Sequence, residues 1–375
     1  MPAPPARQTV GDYLGVCLLI DFSDEPASVA REDVDGFCNQ LGYVGGGNQG
    51  SVFDYYLENS GGRLRYKTIV APYYRAKNLK SYYTEPSITY GVRAQELIVE
   101  ALSSLTQQGF DFSKLTVDER GDVYATNVFY AGEVDNNWDE GLWPHASRLA
   151  TPFKLAPGVS AVDYQVTALR AAPVLGTYCH ENGHMLCDFP DLYQYSDQRR
   201  GIGRFCLMCG GGNADPHNPV NICAYLKYRA GWADVLHLAP GMKAVAEPGK
   251  NQVFLYSKDE EYFIIENRQR AGRDAALPAS GLAVWHVDEL GSNSDPEDAP
   301  LGHRRNECSL VEADGKDDLD SGADDGDATD LFDAAEGPVF SDAGAPSSRW
   351  WDGTPSGLQI SKIESSAGVI SFTVA

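Results

Sequence analysis

The segment Gly176-Thr-Tyr-Cys-His-Glu-Asn-Gly-His-Met-Leu-Cys-Asp-Phe-Pro-Asp-Leu-Tyr193 holds the pattern His180-Glu181-x-x-His184. On a helix, residues four apart share one face, so both imidazoles can point at a single zinc ion (Zn2+). Glu181, one position along, sits beside the metal without binding it. From there it can take a proton from a water that the metal acidifies. Two hydrogen-bonded core or surface histidines on an ordinary helix would give the same letters, so the surroundings must decide.

A catalytic zinc needs a third protein ligand and an open position. A glutamate on a later helix is one common solution, yet no Glu occurs between Glu181 and Glu247. The nearer candidates are Asp188, Asp191, Asp197 and His217. Asp191 follows the helix-stopping Pro190, where the chain can turn back towards the two histidines. Further on, the apolar step Phe205-Cys-Leu-Met208 leads into Cys209 and the run Gly210-Gly-Gly212, and Met208 is one of four methionines.

These residues resemble the immune inhibitor A family (thuringilysin-like peptidases) of metzincin-type zinc metallopeptidases. The likeness rests on His180, Glu181 and His184, on Pro190-Asp191-Leu-Tyr193, and on Met208. It continues in order through Gly15 to Asp24, Ser51 to Leu64, Phe129 to Gly132, Leu142 to His145, Ala224 to Trp232, Ile265 to Arg268 and Leu282 to Glu289. The resemblance implies Asp191 as third zinc ligand and Met208 as the Met-turn beneath the metal. It also implies Asn127 to Ala131 as an edge strand that binds the substrate backbone, and an exported protein. Two features depart from the family pattern. Cys187 stands where a glycine is usual at the end of the ligand helix, and the loop to Pro190-Asp191 is one residue longer. The shifted register puts Asp188 at the left-handed turn that ends the helix, a conformation Asp tolerates better than most residues.

The elements that must position these groups follow from periodicity. Gly15 to Phe22 reads as a buried strand that starts the central sheet. Ser51 to Asn59 reads as a helix with Ser51 as N-cap, stopped by Gly61-Gly62 before a strand through Tyr66 to Ala71. Val92, Leu97, Ile98, Ala101, Leu102 and Leu105 form the stripe of an amphipathic helix ended by Gly109, and Asn127 to Ala131 is a further strand. After about residue 240 the pattern changes to short strands at 253–256, 262–265, 281–285, 358–363 and 369–374. The alternation of helix and strand signals points to mixed α/β layers followed by a β-rich unit. With the family resemblance, the expected fold class is α+β: a metzincin-like zincin catalytic domain over residues 1–240, a mixed twisted sheet with its ligand helix, and a β-rich C-terminal domain over residues 241–375.

Into that second part is set an acidic stretch. Residues 281–345 hold 18 Asp and Glu against 3 Lys and Arg, a local charge of −15 out of −23. Asp317, Asp320, Asp324, Asp327 and Asp330, with two glycines among them, offer the hard oxygen ligands and tight turns of a calcium (Ca2+) loop, without the EF-hand spacing. The family's use of calcium points the same way, and a solvated acidic loop is the plainer reading. Cys187, Cys206, Cys209 and Cys223 read as buried thiols or a disulfide sooner than as a structural zinc site. Ile265-Glu-Asn-Arg268 and Trp285-His-Val-Asp288 read as structural networks at strand ends, and His145 is ambiguous between such a network and a catalytic role.

Composition narrows the partners. The chain of 375 residues, 43% hydrophobic, is long enough for two domains or one large one. Thirty basic against 53 acidic residues make a nucleic-acid backbone or an anionic membrane a poor partner. No apolar run is long enough to span a bilayer, and Met1 to Val10 lacks the apolar stretch of a signal peptide, so family resemblance and N-terminus disagree on secretion. The expected activity is a zinc-dependent endopeptidase, a monomer acting on proteins or peptides. The alternatives are a catalytically silent peptidase-like binding module and a zinc hydrolase of non-peptide amide bonds. The presence of Glu181 and both histidines speaks against the silent module.

Overall fold

A computed structural model describes residues 8–195 and 200–375, and no helix among them is long and apolar enough to cross a membrane. The chain is mixed α/β with several sheets and divides into two compact units. The first comprises Thr9–Glu58 and Gly62–Asp188, the second Asn59–Gly61 and Phe189–Ala375. The change in sequence texture near residue 240 lies inside the second unit, where short helices and loops give way to strands.

In the first unit β1 (Gly11–Asp21), β2 (Leu64–Arg75), β3 (Thr126–Ala131), β4 (His145–Ala156) and β5 (Val159–Leu169) form one sheet in the order β2-β1-β3-β5-β4. β2, β1, β3 and β5 are parallel and β4 is antiparallel, so the sheet is mixed. The helices are α1 (Arg31–Asn39), α2 (Val52–Asn59), α3 (Lys80–Tyr83), α4 (Val92–Gln107) and α5 (Leu175–Cys187). Alternate residues of the parallel strands face opposite layers. Val16, Leu18, Ile20, Val128, Tyr130, Tyr164 and Val166 pack with the α4 stripe Ala94, Leu97, Ile98, Ala101, Leu102 and Leu105. Val92, expected in that stripe, is instead half-exposed at the first turn. On the other face Phe129 stacks on Tyr178 of α5, and Phe37 of α1 meets both rings edge-on or tilted.

β3 corrects one expectation. Its six residues are all buried and it lies between β1 and β5, so Asn127 to Ala131 is an interior strand. Apolar residues on both faces, as in Val128-Phe129-Tyr130, mark a strand covered on both sides, and an edge strand has no such need. The edges of this sheet are β2 and β4.

In the second unit β6 (Asp234–His237), β7 (Lys243–Ala246), β8 (Gln252–Lys258), β9 (Glu261–Arg268), β10 (Gly281–Asp288), β11 (Cys308–Leu310), β12 (Ala335–Phe340), β13 (Ile360–Ser366) and β14 (Val369–Val374) make two sheets. Their orders are β11-β10-β9-β8-β6 and β12-β13-β14-β7. Phe254, Phe263, Ile265 and Val284 of the first sheet share a core with Ala244, Ile360, Ile370 and Phe372 of the second.

Candidate metal centre

α5 carries the two histidines. Leu175, Tyr178, Cys179, Asn182, Met185 and Leu186 are buried along it, and the helix packs against β4 and β5. That burial fixes the helix by its apolar face and leaves His180 and His184 only partly covered. Their Nε2 atoms lie 3.1 Å apart with the ring planes nearly perpendicular, close enough for one ion to reach both. Glu181 is buried at 7% exposure. The Tyr90 phenol is pushed up by burial first and by the Glu181 carboxylate next, which sets a hydroxyl within electrostatic reach of that carboxylate. Tyr90 gave no signal in the sequence.

The helix ends as its departure from the family pattern suggests. Asp188, exposed, is the C-cap with φ 57° and ψ 37°, in the left-handed region, and its N–H donates to the His184 carbonyl at 3.0 Å. Three residues on comes Asp191. Even fully extended, three residues span only about 10 Å, so the covalent chain keeps Asp191 near the helix end. Among the described residues, His180, His184 and Asp191 form a group that could bind a metal ion, one ligand atom of each lying within 4.8 Å of the others. Neither Asp188 nor His217 belongs to that group; the His217 N–H instead donates to Asp215. Asp197 lies outside the described residues.

Two imidazoles and a carboxylate are the donor set that zinc takes in catalytic sites, so the residues present fit that ion. Tyr195 donates its hydroxyl to Asp191 Oδ2, an outer partner that sequence reading missed. Carboxylate ligands are commonly oriented by such a bond.

Met208 is fully buried in the turn Leu207–Gly211. Its carbonyl accepts the Leu192 N–H at 2.8 Å, and Ile202 N–H donates to the Leu192 carbonyl at 3.1 Å, so the segment after Asp191 is pinned to the methionine turn by backbone bonds. The glycine run has a steric reason at Gly211, where a Cβ would stand 2.5 Å from the Cys206 carbonyl and collide with Val220. All eight cysteines are buried and none forms a disulfide, so the choice between thiols and a disulfide resolves to thiols. His145, at the start of β4, is held between the Trp143 carbonyl at 2.6 Å and the Tyr164 hydroxyl at 3.2 Å, and burial lowers its pKa.

The acidic stretch assembles differently from the expected set. Glu312, Asp314 and Asp330 form one group that could hold an ion, and Asp314, Asp318 and Asp327 a second. Asp327 and Asp330 belong to one group each, whereas Asp317, Asp320 and Asp324 stand outside both. Asp320 accepts from Asn306 Nδ2, and Asp324 accepts from the Gly326 N–H. Glu312 and Asp314 were missed because they precede the dense run 317–330 and join it only by the fold; Asp318 lies inside that run and was not singled out.

No protein-family model and no curated protein matches the chain. Among solved structures it is similar to wild-type OgpA from Akkermansia muciniphila, at 11% identity over 71% of this chain and 73% of that one, with a TM-score of 0.33. It is similar also to catalytically inactive OgpA from the same organism in complex with an O-glycopeptide (glycodrosocin) substrate, at 11% identity, the same coverage and a TM-score of 0.27. At such scores the likeness carries no weight for fold or chemistry, and the function must be argued from the residues.

Proposed function

We propose that the chain is a zinc-dependent endopeptidase of metzincin type. The observation that carries this reading is the convergence of the His180 and His184 Nε2 atoms one helical turn apart, with Asp191 in the same group and the Glu181 carboxylate next to it in sequence. Zinc, when bound, supplies a Lewis acid that polarises the scissile carbonyl and acidifies water. Glu181 then accepts the proton of the attacking water at its carboxylate and delivers it to the departing amine. Its burial keeps bulk water from competing for that proton. Met208 is assigned the Met-turn by the family resemblance and takes no chemical step.

The substrate backbone is expected along β4 in place of β3. β4 ends the sheet, runs antiparallel to β5 and is largely exposed, so an extended peptide can add to it through main-chain hydrogen bonds. The experiment is incubation of the zinc-loaded chain with an unstructured protein, read by mass spectrometry. New internal termini support the endopeptidase, whereas release of ammonia or a side-chain amide group without backbone cleavage supports an amidase.

Calcium is proposed for the acidic groups. Burial first, then neighbouring carboxylates, raise the Glu312 pKa to about 7 and that of Asp330 to about 6. Carboxylates raised in the folded state favour folding while protonated. Without a cation their contribution is full below about pH 4 and is lost as the pH rises through 6 and 7. The metal-free chain is therefore expected to lose melting temperature between pH 5 and pH 8, at roughly 2–4 °C per kcal/mol for a domain of this size. Millimolar calcium should restore the loss at pH 8, and Glu312→Gln should blunt both effects. A flat, calcium-indifferent melting profile would remove the site.

A further inference from the structure

β9 places Glu266 and Arg268 on the side of the strand opposite the core residues Phe263 and Ile265, since alternate residues share a face. Both charged residues are almost fully buried, at 4% and 2% exposure. Buried ions must be paired, and here they are. Asp274 accepts from Arg268 Nε at 2.9 Å and from Nη2 at 2.8 Å, a two-pronged fork, and Glu266 accepts from Nη1 at 3.3 Å. Glu266 also accepts from the Ala224 N–H at 2.9 Å and from the Trp285 indole at 3.1 Å. Asp274 accepts from the Asn221 N–H at 2.8 Å. Lys227 is buried within electrostatic range of Glu266 and Asp274, and burial lowers its pKa. A buried ion-pair network of this kind adds little net stability compared with apolar packing, and what it offers is fixed geometry.

That geometry is directed at one backbone atom. Arg268 Nη1 donates to the Phe205 carbonyl at 2.8 Å. Phe205 opens the step into the methionine turn, and at the far end of that step the Met208 carbonyl holds the N–H of Leu192, the residue after Asp191. Beside it, Cys206 Sγ accepts the Cys223 N–H at 3.3 Å, from the loop that leads to Ala224 and Glu266. We infer that Arg268 is a positioning residue for the metal ligand Asp191, acting through the Phe205–Met208 turn. This rests on the metal centre proposed above. An arginine is suited to the task because its planar fork can bind Asp274 with two prongs and still aim a third N–H at the carbonyl; a lysine ammonium cannot hold that orientation.

The test loads the metal-free chain with cobalt(II), whose visible bands report ligand geometry, and measures cobalt affinity by competition with a chelator. Arg268→Lys keeps the charge and loses the fork. It is expected to bind cobalt about 10- to 100-fold more weakly than the unmodified chain, as loss of an outer partner does, with altered visible bands. Phe372→Leu, in the core between the two sheets of the second unit, is the control for general destabilisation and should keep both affinity and bands. If Arg268→Lys does not fold, Asp274→Asn takes its place, with the same change expected. Wild-type affinity and bands in the folded variant would overturn the inference. Failure of the unmodified chain to take up cobalt would instead remove the metal centre itself.

Discussion

Replacing Glu181 by Gln is expected to leave the zinc content unchanged and to lower peptidase kcat/KM by about 10²–10⁴-fold, the usual contribution of a positioned general base. The substitution conserves shape and helix propensity, so the buried site on α5 keeps its packing. What disappears is the only function assigned to that carboxylate, acceptance of a proton from the attacking water. The amide cannot take its place. Cleavage of an unstructured protein by the zinc-loaded variant measures this directly, and activity within a few-fold of the unmodified chain would refute the base.

Asp191→Ala is expected to act on the metal instead. As a ligand, Asp191 should be worth more than the roughly 10–100-fold in affinity that an outer partner contributes. Zinc competition should therefore show a larger loss than that, with activity lost in parallel at limiting zinc. Tyr195 loses its acceptor in the same variant, so Tyr195→Phe is the control that separates the ligand from its partner. His217→Ala and Asp188→Ala should bind zinc as the unmodified chain does, because neither residue stands in the group around His180. Zinc retained in Asp191→Ala, or lost in His217→Ala, would reassign the third ligand.

Local chemistry was the legible part of this chain. The N-cap expected at Ser51 is present as a reciprocal pair: Ser51 Oγ accepts the Asp54 N–H at 3.1 Å, and Asp54 accepts the Ser51 N–H at 2.8 Å. The helix Val92–Gln107 and the left-handed cap at Asp188 likewise follow from spacing and side-chain type. The histidine pair was legible because a helix fixes i and i+4 on one face whatever surrounds it.

What sequence could not give depends on distant partners. β3 was misplaced because strand order is decided by which strands compete for its two edges, and nothing within 127–131 records that. The fold brings Glu312 and Asp314 together with Asp330 and Asp327, so the dense run alone suggested a different set. The Arg268 network was recognisable as structural, yet its aim at Phe205 arises only when β9 meets the methionine turn.

The most direct measurement is metal content combined with X-ray absorption at the zinc edge on the purified chain. One zinc per chain, bound by two imidazole nitrogens and oxygen donors with no sulfur, is the expected result. Absence of stoichiometric zinc after loading, or a first coordination sphere containing thiolate sulfur, would contradict it.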